Sequence, residues 1–259
     1  MIRAITSTLY SIPATCTLVA LLVLAGLVPL AYSQQAARPD TGASAAKVPD
    51  FSGVWRTVRE AAVPVPKGST LRWVPAPGEL PSFKPEYAEK FKTVQQSRER
   101  GSEDTEPEAR CLPPGMPYHM WAEYGLEIVQ GRDKMALFSE WMDAYRRIYM
   151  DGRKVPKDWE PSYYGYSTGH WEGDTLVVET VGLREDTVLD RYGSPHSDDM
   201  RITERIRLVN PDSLEDKFVV NDSKAFTRPW EYTVTYRRAG AGNDELRENT
   251  CTEGWKSEK

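Results

Sequence analysis

The feature that most restricts this chain is a hydrophobic period of two that begins near Leu126 and runs to Arg237. Leu126–Gln130 and Lys134–Glu140 flank Gly131-Arg-Asp133, and Ala144–Met150 ends at Asp151-Gly152. Tyr163–Trp171 and Thr175–Val181 flank Glu172-Gly-Asp174, Met200–Val209 and Leu214–Asn221 flank Asn210-Pro-Asp-Ser213, and Trp230–Arg237 follows. Alternating runs joined by Gly, Asn and Asp read as hairpins. With Gly53-Val-Trp55 they predict about eight antiparallel strands. A meander of that length leaves two adhesive edges unless it closes on itself. The expected fold class is therefore all-β, an antiparallel meander closed or nearly closed into a barrel. An open sandwich fits the same pattern. Eight strands enclose room for packed side chains or one small ligand.

Ten of the nineteen prolines fall between residues 60 and 120, so no regular sheet runs through that stretch. One helix is expected inside it. Pro85 suits a first turn, and Tyr87, Phe91 and Val94 recur at helical spacing up to about Arg98. At the N-terminus Arg3 is the one charge in the first 33 residues, Leu18–Val28 is unbroken apolar sequence, and Ala31-Tyr-Ser33 offers small residues before a cut. That three-part pattern reads as a signal peptide over 1–33, with an uncleaved anchor as the alternative. Residues 34–48, rich in Gln, Ala, Ser and Gly, read as a flexible tether. Residues 49–259 are then a single barrel domain with a Pro-rich insertion at about 60–120.

Export would leave Cys111 and Cys251 as an even pair in an oxidising compartment, periplasmic or extracellular. A disulfide between them is expected, with two separate thiols as the alternative. Neither has a second Cys or a His at ligand spacing, so no metal and no cofactor are expected. A net charge of −5 supplies no basic excess to displace phosphate counterions, which argues against a nucleic-acid partner. After cleavage no stable membrane insertion is expected. Oligomeric state is not legible.

One residue breaks the alternation. Met200, Ile202, Glu204, Ile206 and Leu208 share a strand face, so a carboxylate points inward among aliphatic side chains. A buried carboxylate needs a cation or a donor, or it takes up a proton. Arg146 and Arg147 are adjacent, so one of them faces in whichever way their strand turns. Glu204 with an arginine is either an acid or anchor in a ligand cavity, and so a catalytic as well as a ligand-binding candidate, or a structural ion pair. The link between Val181 and Met200 is long for a hairpin sheet and holds His196 and Asp198. His196 suits acid–base chemistry with Asp198 orienting it, or both satisfy loop backbone groups. Gly165-Tyr-Ser-Thr-Gly169 matches a hydrolase elbow only formally, because a hairpin and not a helix follows. Aromatics concentrate on the strands, and Tyr149, Tyr166, Trp171 and Trp230 are candidates to meet an apolar or aromatic ligand.

Several blocks resemble a large family of exported bacterial proteins of unassigned mechanism. They are Glu108-Ala-Arg-Cys-Leu-Pro-Pro-Gly115, Glu127-Ile-Val-Gln130, Arg146-Arg-Ile-Tyr-Met-Asp-Gly-Arg153, Gly169-His-Trp-Glu-Gly-Asp-Thr-Leu-Val-Val-Glu-Thr180, Pro195-His-Ser-Asp198 and Lys224-Ala-Phe-Thr-Arg-Pro-Trp230. The likeness spans nearly all of the chain after residue 33. It implies export and a shared fold, and it carries over no catalytic residue. Gly53-Val-Trp55 also resembles a piece of lipocalin-like barrels, by analogy alone.

Three functions are compatible with these readings. The first is an exported barrel binding a small apolar or aromatic molecule in its interior, beside Glu204 and Arg146 or Arg147, with the 182–199 loop over one mouth. The second is a cofactor-independent enzyme on such a ligand, with His196 as acid or base, Asp198 orienting it and Arg147 stabilising negative charge. The third is an envelope scaffold without a cavity.

Overall fold

The structure, a computed structural model, describes residues 48–58, 79–101, 107–121, 124–249 and 251. The expected signal peptide and nearly all of the tether lie outside the described residues, as does part of the Pro-rich insertion. Among the described residues no helix is long and apolar enough to cross a membrane.

The strands are β1 (Gly53–Thr57), β2 (Leu126–Gln130), β3 (Lys134–Ser139), β4 (Tyr145–Tyr149), β5 (Tyr166–Glu172), β6 (Thr175–Val181), β7 (Arg201–Asn210), β8 (Ser213–Asn221) and β9 (Trp230–Arg238). They close in sequence order into a barrel, with β1 hydrogen-bonded to both β2 and β9. The all-β closed barrel is as expected. Among the described residues the strands number nine rather than about eight.

One seam departs from the expected antiparallel meander: β4 and β5 run parallel. Closure makes this necessary. Each antiparallel seam reverses strand direction, so a ring of nine cannot close through antiparallel seams alone. A parallel neighbour also needs a crossover rather than a tight turn. The segment from Met150 to Gly165, with Pro156 and Pro161, supplies it. The parallel ladder is short, pairing only Ile148 with Ser167 and Tyr149 with Thr168, whereas β5 and β6 pair from Tyr166–Val181 to Glu172–Thr175. Gly165 immediately precedes β5 at a φ of 63°, and a Cβ there would stand 2.6 Å from the Val181 carbonyl oxygen. Any side chain at this position would be strained on both counts.

Alternation fills the interior. Leu137 on β3, Ile148 on β4, Leu176 on β6 and Phe218 on β8 are all buried, and Trp55 on β1 joins the same core. Helix α1 (Pro85–Glu99) starts at the expected proline and buries Tyr87. Phe83, just before it, stacks on Phe91 at 5.3 Å and meets Phe226 edge-on at 5.8 Å, which fixes the excursion to the barrel. A second short helix, α2 (Tyr118–Trp121), places four consecutive buried side chains. Cys111 and Cys251 form a disulfide, with Cα atoms 5.5 Å apart.

The 182–199 loop is not a loose cover. It buries Leu183, Leu189 and Tyr192, two of which belong to the core cluster. Asp222 pins it by accepting hydrogen bonds from the Ser197 amide at 2.6 Å and the Ser197 hydroxyl at 2.8 Å.

Candidate functional site

Glu204 is fully buried, as strand alternation requires, and Arg146 is 1 % exposed. The β3–β4 register sets Arg146 opposite Leu137, on the inner face, and so turns Arg147 outward opposite Ala136. The Arg146 guanidinium grips the Glu204 carboxylate with two nitrogens, Nη1 donating to Oε1 at 2.7 Å and Nη2 donating to Oε2. Nη2 also donates to Thr180 Oγ1 at 2.8 Å and Nε to Ser167 Oγ at 3.2 Å. A fork-to-fork pair with further acceptors is the geometry in which a buried ion pair is best compensated.

A second acid shares this interior. Asp216 is fully buried between Leu214 and Phe218 on the inner face of β8. Neither of its oxygens finds a donor among the described residues. Burial first, and the neighbouring Glu204 charge second, push its carboxyl well above the ordinary range. Two carboxylates facing one guanidinium cannot both stay ionised cheaply. A proton on Asp216 turns its approach to Glu204 from repulsion into a hydrogen bond. Tyr232 and Tyr236, also buried, are pushed up by burial and then by the Asp216 charge. Tyr236 donates to the Met120 carbonyl, while the Tyr232 hydroxyl has no partner among the described residues.

The sign of the pH effect follows. A carboxyl raised in the folded state binds its proton more tightly than in the unfolded chain. Its stabilisation is complete below the unfolded value of 3.8 and is lost as pH rises toward the folded value. Asp216→Asn removes that proton linkage and keeps the shape. The variant should lose less stability than the parent as pH rises above 3.8 toward neutrality, with the parent's excess slope bounded by the one-proton limit of about 1.4 kcal/mol per pH unit. Urea midpoints measured across that range check it, and parallel curves for the two proteins would remove the shared proton.

The groove that reaches this cluster lies in the barrel wall, at the short parallel seam. Its volume is about 450 Å³, and its lining includes Tyr145, Arg146, Arg147, Tyr149, Trp159 and Tyr166. Tyr149 and Tyr166 face each other across the seam with ring centres 4.8 Å apart, and Trp159 stands edge-on to Tyr166 at 4.9 Å. Arg146 and Ser167, which belong to the buried cluster, also line it. The groove therefore joins an aromatic wall outside to fixed polar groups within. Its volume falls in the usual range of small-molecule sites, roughly 300–1,000 Å³.

Among the residues singled out from sequence, Arg146, Arg147, Tyr149 and Tyr166 meet at this groove, and Glu204 stands behind Arg146. Two others sit elsewhere. Trp171 packs on Phe51 at 5.2 Å, and Trp230 packs on Tyr232 while its Nε1 donates to the Glu79 carbonyl at 2.6 Å. The His196–Asp198 pairing is corrected. His196 Nδ1 donates to the Ser197 carbonyl at 2.9 Å, and Nε2 lies 2.8 Å from Thr187 Oγ1. Asp198 instead receives Lys224 Nζ at 2.8 Å on the surface. Burial lowers the His196 pKa, so the ring stays neutral, and Thr187 Oγ1 lies between Nε2 and the Arg184 carbonyl, 3.0 Å away. Both nitrogens are committed inside the loop.

Sequence reasoning missed Asp216, and it left His119, in the aromatic stretch Pro117–Trp121, as either an entrance-lining or a packing residue. Asp216 carries the same signal as Glu204, a carboxylate on the inward face of an alternating strand. His119 on α2 carried no such signal, because four consecutive buried residues have no period. Its ring packs edge-on against Tyr164 at 4.9 Å, and neither nitrogen has a partner among the described residues. Burial first and the Arg146 charge second lower its pKa to about 3. Among the described residues no group of three or more His, Cys, Asp and Glu side chains is placed to hold a metal ion. Comparison with family models and with curated proteins finds no match for the chain.

Proposed function

We propose that this chain is an exported β-barrel protein that binds a small aromatic or apolar molecule in the groove between β4 and β5. One observation carries the reading: a 450 Å³ opening at the shortest strand pairing of the barrel, walled by tyrosine and tryptophan and floored by a fully compensated arginine. Aromatic walls supply apolar area and ring stacking at low entropic cost. The Arg146–Glu204 pair holds the floor in one geometry, so a ligand meets a preformed surface. The ligand position differs from the interior site expected from sequence, because the groove opens through the barrel wall, whereas Trp55, Leu137, Leu176 and Phe218 lie buried in the core. The disulfide fits an oxidising compartment, in line with export. A reaction at His196 gains no support from a ring with both nitrogens engaged.

N-Phenyl-1-naphthylamine, a neutral aromatic dye that brightens on leaving water, tests the reading. It should saturate near one dye per chain. Tyr149→Ala should weaken binding roughly ten-fold through lost ring contact and apolar area. Trp159→Ala, from outside the ladder, should act in the same direction without touching strand pairing. Absence of saturable binding, or affinities unchanged in both variants, would overturn the proposal.

A further inference from the structure

We infer that the groove's preferred ligand is an aromatic acid, a planar ring bearing a carboxylate or sulfonate, with Arg147 as the group that binds the anion. The inference rests on the groove reading above and adds the ligand's charge.

Most cations around the groove are already cancelled by a carboxylate. Arg146 is neutralised by the Glu204 carboxylate behind it. Arg153 lies 4.2 Å over the Tyr149 ring and is held by Asp151. Arg184 is held by Asp186. Arg147 differs. Its guanidinium lies 4.8 Å over the Tyr145 ring and reaches the Tyr145 hydroxyl at 3.4 Å, and no carboxylate pairs with it among the described residues. Lys134, whose Nζ sits 5.4 Å from the Tyr149 ring, has no carboxylate partner there either. The cross-strand register explains both: Ala136 stands opposite Arg147, and Tyr149 stands opposite Lys134. Elsewhere on the barrel the same kind of outward position is filled by complementary charge. Arg205 finds Glu172 at 2.8 Å, Arg207 finds Glu215 at 3.0 Å and Lys217 finds Glu231 at 3.2 Å. Opposite charges across a ladder are the usual solution, and it is absent where the groove opens.

One carboxylate does line the groove. Asp143 precedes β4, four residues before Arg147, and its Oδ1 accepts a hydrogen bond from the Asn249 amide at 3.2 Å. The groove is thus acidic where β4 begins and basic toward Tyr149. A ring lying against Tyr149 and Tyr166 would carry an acidic substituent within reach of a planar guanidinium, which suits a bidentate oxyanion better than an ammonium would. Seated on Tyr145, that guanidinium is already oriented.

Two dyes with one skeleton separate charge from shape. 1-Anilinonaphthalene-8-sulfonate carries a sulfonate that N-phenyl-1-naphthylamine lacks. The folded protein should bind the sulfonate about ten-fold more tightly than the neutral dye, as one charge-assisted contact at a partly exposed site allows. Arg147→Gln should bring the ratio of the two dyes' affinities, both measured on the same variant, close to one, and Arg147→Lys should keep part of the preference. Raising salt from about 0.05 to 0.5 M should narrow the gap, since Arg147 is exposed. If the neutral dye binds and responds to Tyr149→Ala while Arg147→Gln leaves the sulfonate titration unchanged, the acid preference is overturned and the groove stands. If neither dye saturates, the groove reading fails and this inference fails with it.

Discussion

Arg146→Met should cost about 3–5 kcal/mol of folding stability, the typical penalty for removing one partner of a buried pair. The side chain is nearly isosteric along its stem, so little packing is lost. What changes is charge. Without the guanidinium, Glu204 and Asp216 are two carboxyls in one interior with Ser167 and Thr180 as the nearby neutral donors. Protonation limits the damage, because a buried acid takes up a proton before it stays ionised without a partner. The deficit should therefore shrink as pH falls, since the folded variant then binds protons that the unfolded chain holds less tightly. Arg146→Met combined with Glu204→Gln should recover most of the loss, and the non-additivity measures the coupling. The pair's net worth is a separate matter, because a well-packed apolar replacement of the whole cluster can match it. Urea unfolding at two pH values decides the case. A loss under about 1 kcal/mol for the single variant, or a double variant worse than the single, would mean that Arg146 does not carry the cluster.

That cluster shows how far sequence reaches. Glu204 was legible because one carboxylate among Met200, Ile202, Ile206 and Leu208 violates a period of two. Asp216 obeys the same rule among Leu214, Phe218 and Val220 and needed only the same test. The choice between Arg146 and Arg147 was not legible, since it depends on which face of β4 turns inward, and the β3 register fixes that. The closed all-β architecture was legible from alternation and turn chemistry, which are local. The parallel seam was not read from Met150–Gly165, which has no period of its own. Its direction is imposed by closing nine strands, a property of the whole ring. The groove inherits that invisibility because it exists where the parallel ladder runs out. His196 illustrates the opposite error. A histidine near an aspartate in a long loop suggests chemistry, yet burial and the Ser197 carbonyl make it a fastening.

Breaking the disulfide should be the other large perturbation, costing about 3–5 kcal/mol in the Cys111→Ser/Cys251→Ser variant. Cys111 and Cys251 are 140 residues apart in sequence, and β2 to β9 lie between them, so the bond restrains nearly the whole barrel once it unfolds. The native state needs the bond less than the unfolded state feels it. The C-terminal strap is already fastened at Glu140, whose carboxylate accepts from Arg56 Nη2 at 3.0 Å, the Gly125 amide at 2.9 Å and the Arg247 amide at 3.1 Å. Burial opposes the Glu140 charge, but those donors outweigh it and hold its pKa at about 2. Asn249 adds a second attachment at Asp143. The folded variant should therefore keep its barrel, with near-ultraviolet circular dichroism like that of the parent. The loss should appear in the denatured ensemble: the variant unfolds to a more expanded chain, so its urea slope should rise as its midpoint falls. A fallen midpoint with an unchanged slope and altered near-ultraviolet signal would place the bond's contribution in the native strap instead. That outcome would contradict the view that Glu140 and Asp143 hold the strap without it.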